Sequence, residues 1–365
     1  MSERGWFVPG RIEVLGKHTD YAGGRSLLCA TEQGLGFTAT ARDDARIRVF
    51  SDRFGDFECE IGPDLMPPAG HWSVYPMTVA RRLARNFPGR LRGADIRVGG
   101  DLPSASGLAS SSAMVVGMFA VLADVNELES RPEYSENINS EEDLATYLSC
   151  IEMGGQFGTL AGDAGVGTKG GSQDQTAIHC CRAGELAQYA WRPVRRERAV
   201  ALPPSWAFVV AVSGVQAEKT GGALEKYNRM VRDVSGPVGQ WPAGRREQFD
   251  QECSLIPVVA DAFARGDPKA LGTLVGRSQA LAELNLGNQV PETIFLARTA
   301  RDLGAIAATA FGAGFGGSVW ALVVSEGEVE GFRARWADRY RVAFPEPAAR
   351  SAFFVTRAGK GLTKL

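Results

Sequence analysis

A short apolar strand that runs into a charged, glycine-flanked turn restricts this chain more than any other feature. In PGRIEVLGKHTDYAGG, residues 9–24, Pro9-Gly10 signals a turn, Ile12 and Val14 alternate with polar residues, and Gly16 breaks the alternation. Lys17, His18, Thr19, Asp20 and Tyr21 follow as a polar cluster that closes on Gly23-Gly24. Strand, polar turn and glycine pair is the order in which a strand end delivers side chains into a cleft. Taken alone, the cluster fits a solvated turn equally well, because charge runs commonly face water.

Downstream, strand patterns fall at residues 26–30, 36–41, 47–50 and 94–98, and residues 72–85 carry apolar positions at helical spacing. The acidic stretch 124–143 reads as a solvated loop, and 144–157 as helix. Residues 191–198, with RPVRRER, form a basic hinge-like segment that divides the chain into domains at 1–195 and 196–365. Beyond it come a buried strand (206–212) and a loop passing into a helix (217–231). Helical pattern over 247–303 breaks at Gly266-Asp267-Pro268 and again at 287–291, followed by a glycine-rich turn and strand (311–324), a helix (328–344) and a last strand (351–356). Strands and helices mixed in both halves predict an α+β fold.

Two further segments carry chemistry. Pro103 to Ser112, PSASGLASSS, packs small hydroxylated residues around Gly107 directly before a long apolar helix. Small residues let backbone approach a ligand, and a helix N-terminus offers unpaired N–H groups and a positive dipole end. A serine-capped core helix is the plainer alternative. No lysine follows, so the segment is not a P-loop. Asp174, in GGSQDQ just past Gly170-Gly171, is placed to be a helix cap or a general base.

The net charge of −2 gives no electrostatic footprint for nucleic acid or an acidic membrane. The longest apolar run, 114–123, is half of what a bilayer span needs. The N-terminus lacks a signal peptide's apolar core, and six dispersed cysteines without a C-x-x-C pair predict reduced thiols, so a cytosolic protein is expected. The adjacent Cys180 and Cys181 read as buried structural thiols.

Three segments together resemble one family. PGRIEVLGKHTDYAGG is similar to the galactokinase signature G-R-x-N-x-[IL]-G-E-H-x-D-Y. PSASGLASSSA resembles the Pro-x-x-x-Gly-Leu-x-Ser-Ser loop of the galactose–homoserine–mevalonate–phosphomevalonate (GHMP) kinases, and FGAGFGGSVWALV resembles their C-terminal glycine segment. The resemblance implies a ribosomal-protein-S5-like N-terminal domain, a ferredoxin-like C-terminal domain, and a site between them for ATP, Mg²⁺ and a sugar, in a monomer or weak dimer. It implies Asp174 as the base and Arg11 beside the transferred phosphoryl group. It places Lys17, His18, Asp20, Gly171 and Tyr227 at the sugar. It places Pro103, Ser106, Gly107, Leu108, Ala109, Ser110, Ser111, Ser112 and Trp72 at ATP, with Tyr75 near the adenine, and Ser111 and Glu152 at the metal.

Two positions depart from the family pattern. Glu13 stands where galactokinases carry asparagine, and Lys17 where they carry glutamate. An ammonium in place of a carboxylate turns a hydroxyl acceptor into a donor cation. The expectation is therefore a sugar kinase acting at the anomeric hydroxyl, with Lys17 facing an acidic or modified sugar or else pairing with Glu13. A catalytically silent sugar sensor is the alternative function.

Overall fold

The computed structural model describes residues 3–215, 222–324 and 327–365. The chain begins with β1 (Arg4–Leu15), β2 (Arg25–Ala41), β3 (Arg46–Phe50) and β4 (Phe57–Glu60), then α1 (Val74–Asn86) and β5 (Ala94–Gly100). Next come α2 (Ser110–Val125), α3 (Pro132–Ser135), α4 (Glu141–Met153), α5 (Gln173–Cys180), β6 (Glu185–Ala190) and β7 (Arg195–Ala201). The remainder is β8 (Trp206–Val212), α6 (Gly222–Arg232), α7 (Ala243–Arg265), α8 (Pro268–Leu281), α9 (Pro291–Asp302), β9 (Ala307–Phe311) and β10 (Ser318–Val324). Last are α10 (Val329–Ala343), α11 (Pro345–Ala348), β11 (Ala352–Thr356) and β12 (Thr363–Lys364). This is the α+β arrangement that the sequence predicts.

One mixed sheet runs β12-β1-β2-β5-β3-β4, with β6 paired to the first residues of β2 and β7 paired to β6. Against it lies α2, whose residues from Ser112 to Val125 are nearly all buried, as a helix apolar on every side must be. Gly117 permits the close approach: a Cβ there would stand 2.2 Å from the Phe37 ring. The second sheet runs β11-β8-β10-β9 and is covered on both faces, which explains the unbroken apolar run of β8. Phe208 and Val210 pack with Leu255, Val259 and Phe263 of α7, whereas Val209 and Ala211 pack with Leu296 of α9 and Trp336 of α10.

Several sequence expectations change. The strands expected at 26–30 and 36–41 are one 17-residue strand, β2, which stays paired through residues 34–36 by facing β1 and β5 there. The stretch 124–143 is no simple loop: it holds a 3-10 turn, α3 and the start of α4, fixed by the buried side chains of Leu128 and Ile138. Residues 191–198 do not form a hinge. They make a turn with a cis Arg192–Pro193 bond and then enter β7, which pairs along β6 to Ala201. Residues 217–221 of the loop expected before α6 lie outside the described residues. The six cysteines are free thiols, with Cys180 and Cys181 buried. No described helix is long and apolar enough to cross a membrane.

Candidate active site

A cavity of about 850 Å³ opens between the large sheet, α2, α5 and the loop 312–313. β1 delivers Arg11 and Glu13 to it, two residues apart and therefore on one face of the strand. After Gly16 (φ 114°) the chain turns, His18 adopts a left-handed φ of 58°, and Asp20 and Tyr21 re-enter the cavity wall.

At its centre Arg11 meets Asp174, which lies in the first turn of α5. Nε and Nη2 of Arg11 lie 2.8 and 2.7 Å from the same carboxylate oxygen, and Nη1 donates to the carbonyl of Gly107. Burial opposes the Arg11 charge, but Asp174 and Glu13 reverse that effect and raise its pKa. Asp20 accepts a long hydrogen bond of 3.4 Å from the backbone N–H of Gln173. Burial first, and then the charge of Asp174, push the Asp20 carboxyl up. Gly171 lets this happen, because a Cβ there would stand 2.5 Å from Asp20 Oδ2.

His18 is held at both nitrogens by the protein. With Nε2 donating to the Ala313 carbonyl (3.1 Å), Nδ1 accepts from Tyr21 Oη (2.7 Å). Burial, helped by Arg245, lowers its pKa to about 3, so the ring is neutral. Tyr227, on α6, packs its ring 5.6 Å from His18 and 6.3 Å from Tyr21. These aromatics make a wall at one end of the cavity.

The other end is the loop before α2. Ala105, Gly107 and Ala109 all have left-handed φ, and Ala109 at the N-cap has no side chain to satisfy the first N–H groups of α2. A run of such turns and an uncapped helix start forms a concavity of N–H donors suited to phosphate. Ser106, Gly107, Ala109, Ser110, Ser111 and Ser112 line the cavity, whereas Pro103 and Leu108 do not. Leu108 is fully buried and offers only its carbonyl, to Arg11 N–H at 3.2 Å, so both residues shape the loop from behind. Beyond the loop, Trp72 stands 5.7 Å from Phe54 and 6.0 Å from His71, and with Tyr75 it makes an aromatic rim.

Oxygen donors for a divalent cation lie between the two ends. Glu152 Oε2 accepts from Ser112 Oγ (2.7 Å) and Gln175 Nε2 (2.6 Å), which leaves Oε1 without a protein hydrogen bond among the described residues. Ser111 shares the wall with Glu152. No group of three or more His, Cys, Asp or Glu is placed to hold a metal ion among the described residues. One carboxylate plus a hydroxyl fits Mg²⁺, which usually takes few protein ligands and fills its shell with phosphate and water.

Lys17 is the clear correction. It is 1% exposed and absent from the cavity wall; its Nζ turns away and donates to Ser278 Oγ of α8 at 2.7 Å. Ser278 in turn donates to the buried Glu252 of α7, which also accepts from the N–H groups of Gly16 and Lys17. No ion pair joins Lys17 to Glu13 among the described residues. The strand end after Gly16 thus sends residue 17 into the interface with α7 and α8, not to the ligand. Sequence reasoning also passed over Tyr21, Gln173 and Gln175; the polar T-D-Y and S-Q-D-Q runs were the available signal.

Three family models match in chain order: the galactokinase galactose-binding signature over residues 2–39, the GHMP kinases N terminal domain over 74–181, and the GHMP kinases C terminal over 259–342. The chain belongs to the galactokinase family of the GHMP kinases. This galactokinase-family chain is 26% identical to the galactokinase of Mannheimia succiniciproducens, an alignment covering 99% of this chain and 94% of that protein. The galactokinase of Thermococcus kodakarensis is 28% identical, with 98% and 99% covered. The GHMP kinase fold is shown by a solved structure, the galactokinase of Lactococcus lactis complexed with galactose. It superposes with a TM-score of 0.82 at 22% identity, over 100% of this chain and 95% of that one. The galactokinase-family chain is accordingly a sugar kinase, a phosphotransferase with an alcohol group as acceptor.

Proposed function

We propose that this kinase transfers the γ-phosphoryl group of ATP to the anomeric hydroxyl of a neutral monosaccharide. The observation that carries the reading is the Arg11–Asp174 pair, set at 2.7 Å between the N–H concavity of the 103–109 loop and the aromatic wall of His18, Tyr21 and Tyr227. Phosphoryl transfer needs alignment and neutralisation of charge more than covalent assistance. Asp174 takes the proton of the attacking hydroxyl. Arg11 tethers that carboxylate, reaches the Gly107 carbonyl, and meets the charge that builds on the transferred group. The first turn of α2 and the loop before it hold the phosphates, and Trp72 and Tyr75 face the base. Ser111 and Glu152 would hold Mg²⁺, which when bound neutralises phosphate charge. Residues 1–195 and 196–365 each contribute walls, the latter through Leu224, Tyr227, Gly312 and Ala313.

A neutral sugar is favoured over an acidic one because the cation expected to greet a carboxylate, Lys17, is engaged with Ser278. The wall around Arg11 instead presents three carboxyl groups, Glu13, Asp20 and Asp174. A panel of galactose, fucose, N-acetylgalactosamine, galacturonate and glucuronate, read by ADP release, tests this. At least one neutral sugar is expected to turn over at least tenfold faster than either uronate. Faster turnover of a uronate would refute the neutral-sugar reading, and no sugar-dependent ADP release would refute the kinase reading.

A further inference from the structure

Glu13 is a buried carboxylate that none of the roles above uses. It is 2% exposed, forms part of the cavity wall, and its Oε1 has no hydrogen-bond partner among the described residues. Buried polar atoms in folded proteins are almost always paired, so an unpaired carboxylate oxygen beside a ligand cavity calls for a ligand.

The neighbouring hydrogen bonds fix which oxygen is open. Trp191 Nε1 donates to Ser26 Oγ at 3.0 Å, and Ser26 donates to Gln173 Oε1 at 2.6 Å. Because the Gln173 carbonyl oxygen is thereby occupied, its amide N–H₂ must face Glu13, and it donates to Oε2 at 2.6 Å. This donor chain, drawn from three separate elements, holds the Glu13 carboxylate in one orientation. Oε2 is satisfied, and Oε1 is left as a single acceptor, two residues along β1 from Arg11.

Resting on the sugar-kinase reading, we propose that Glu13 Oε1 accepts a hydrogen bond from one sugar hydroxyl, making Glu13 a specificity-determining residue that selects a neutral, hydroxyl-bearing sugar at that position. A hydroxyl can donate to this oxygen, whereas a deoxy carbon leaves it unpaired and a carboxylate meets like charge. Burial raises the Glu13 carboxyl to about 7, the mark of a charge that lacks its full set of donors.

Calorimetric binding of the best neutral sugar and its monodeoxy analogues, to the wild-type chain and to Glu13→Gln, tests the assignment. A hydrogen bond to a charged group contributes about 1.5–3 kcal/mol, so one deoxy analogue should bind about 10–100-fold more weakly than its parent to the wild-type chain. In Glu13→Gln, whose amide turns a donor toward the cavity, that ratio should fall at least fivefold while the KM for ATP stays within about twofold. An unchanged ratio overturns the role of Glu13 while leaving the kinase reading intact. Normal sugar binding and an altered ratio without ADP release would instead sink the kinase reading and leave Glu13 in place. Absence of any sugar binding overturns both.

If Glu13→Gln does not fold, the wild-type chain supplies the test. The parent-to-deoxy affinity ratio should drop as pH falls through about 7, because a protonated Glu13 accepts less well. The surrounding charges, Arg11, Lys17, Asp20, Asp174 and Glu252, act on both sugars and cancel in that ratio. A ratio that does not change with pH overturns the proposal.

Discussion

Replacing Lys17 by methionine separates a structural lysine from a ligand-binding one. The side chain keeps its length but loses its charge and its bond to Ser278, the hydroxyl that donates to the buried Glu252 Oε1. After Arg11, Lys17 also lowers the pKa of Glu13, so that buried carboxylate loses part of its compensating charge. Losing a hydrogen bond made by a charged group costs about 1.5–3 kcal/mol. With an unfolding entropy of about 2.1 cal/mol/K per residue, a chain of 365 residues unfolding as one unit has about 0.8 kcal/mol/K. The expected fall in Tm is therefore about 2–4 °C at pH 8. It should shrink at pH 5, where Glu13 is protonated and no longer needs the cation. Differential scanning calorimetry reads the first effect, and ADP release across a sugar titration reads the second, which should be nil: KM for sugar within about twofold of wild type. An unchanged Tm together with a KM raised tenfold would refute the reasoning and return Lys17 to the sugar.

Three other outcomes follow from the same geometry. Asp174→Asn should lose about 10²–10⁴ in kcat with sugar affinity largely kept, the span of a general base, and unchanged turnover would remove it from the mechanism. Glu13→Gln should be more stable than wild type at pH 8 and equal to it near pH 4.5. The folded state holds the Glu13 proton up to about 7 against 4.5 in the unfolded chain, so wild-type stability falls between those values by about 3 kcal/mol; parallel urea melts with no gap at pH 8 would contradict this. Gly171→Ala should raise the sugar KM about 10–100-fold with little change in KM for ATP, because the added Cβ displaces Asp20 from the cavity wall; equal effects on both substrates would point to general misfolding.

What the sequence made legible was chiefly local. The helix breaks at Gly266 to Pro268 and at 287–291 carry their own chemistry: α7 gives way to α8 at the first, and α9 starts at the second. The alternation in β8 is invisible because both faces are buried, yet its unbroken apolar run marked the strand correctly at Trp206–Val212. β7 escaped notice because Val200 alone of its seven residues is fully buried and four of the others are charged, so it lacks the apolar face that reveals a strand. The cavity was legible as a set of segments, since the 9–24 stretch, the serine-rich loop and Gly170 to Asp174 all reach it. Side-chain direction within those segments was not. Lys17 and His18 are adjacent, yet one lies under α7 and α8 and the other faces the cavity, a divergence set by the positive φ values of Gly16 and His18. The groups that hold Lys17 and Glu13, namely Glu252, Ser278 and Gln173, lie between 160 and 261 positions away in sequence. Local pattern carries no information about such partners. A charge substitution inside a ligand-binding motif therefore reads as altered specificity until the fold shows which face it occupies, and here the charge at 17 belongs to the support beneath the site while the charge at 13 faces the ligand.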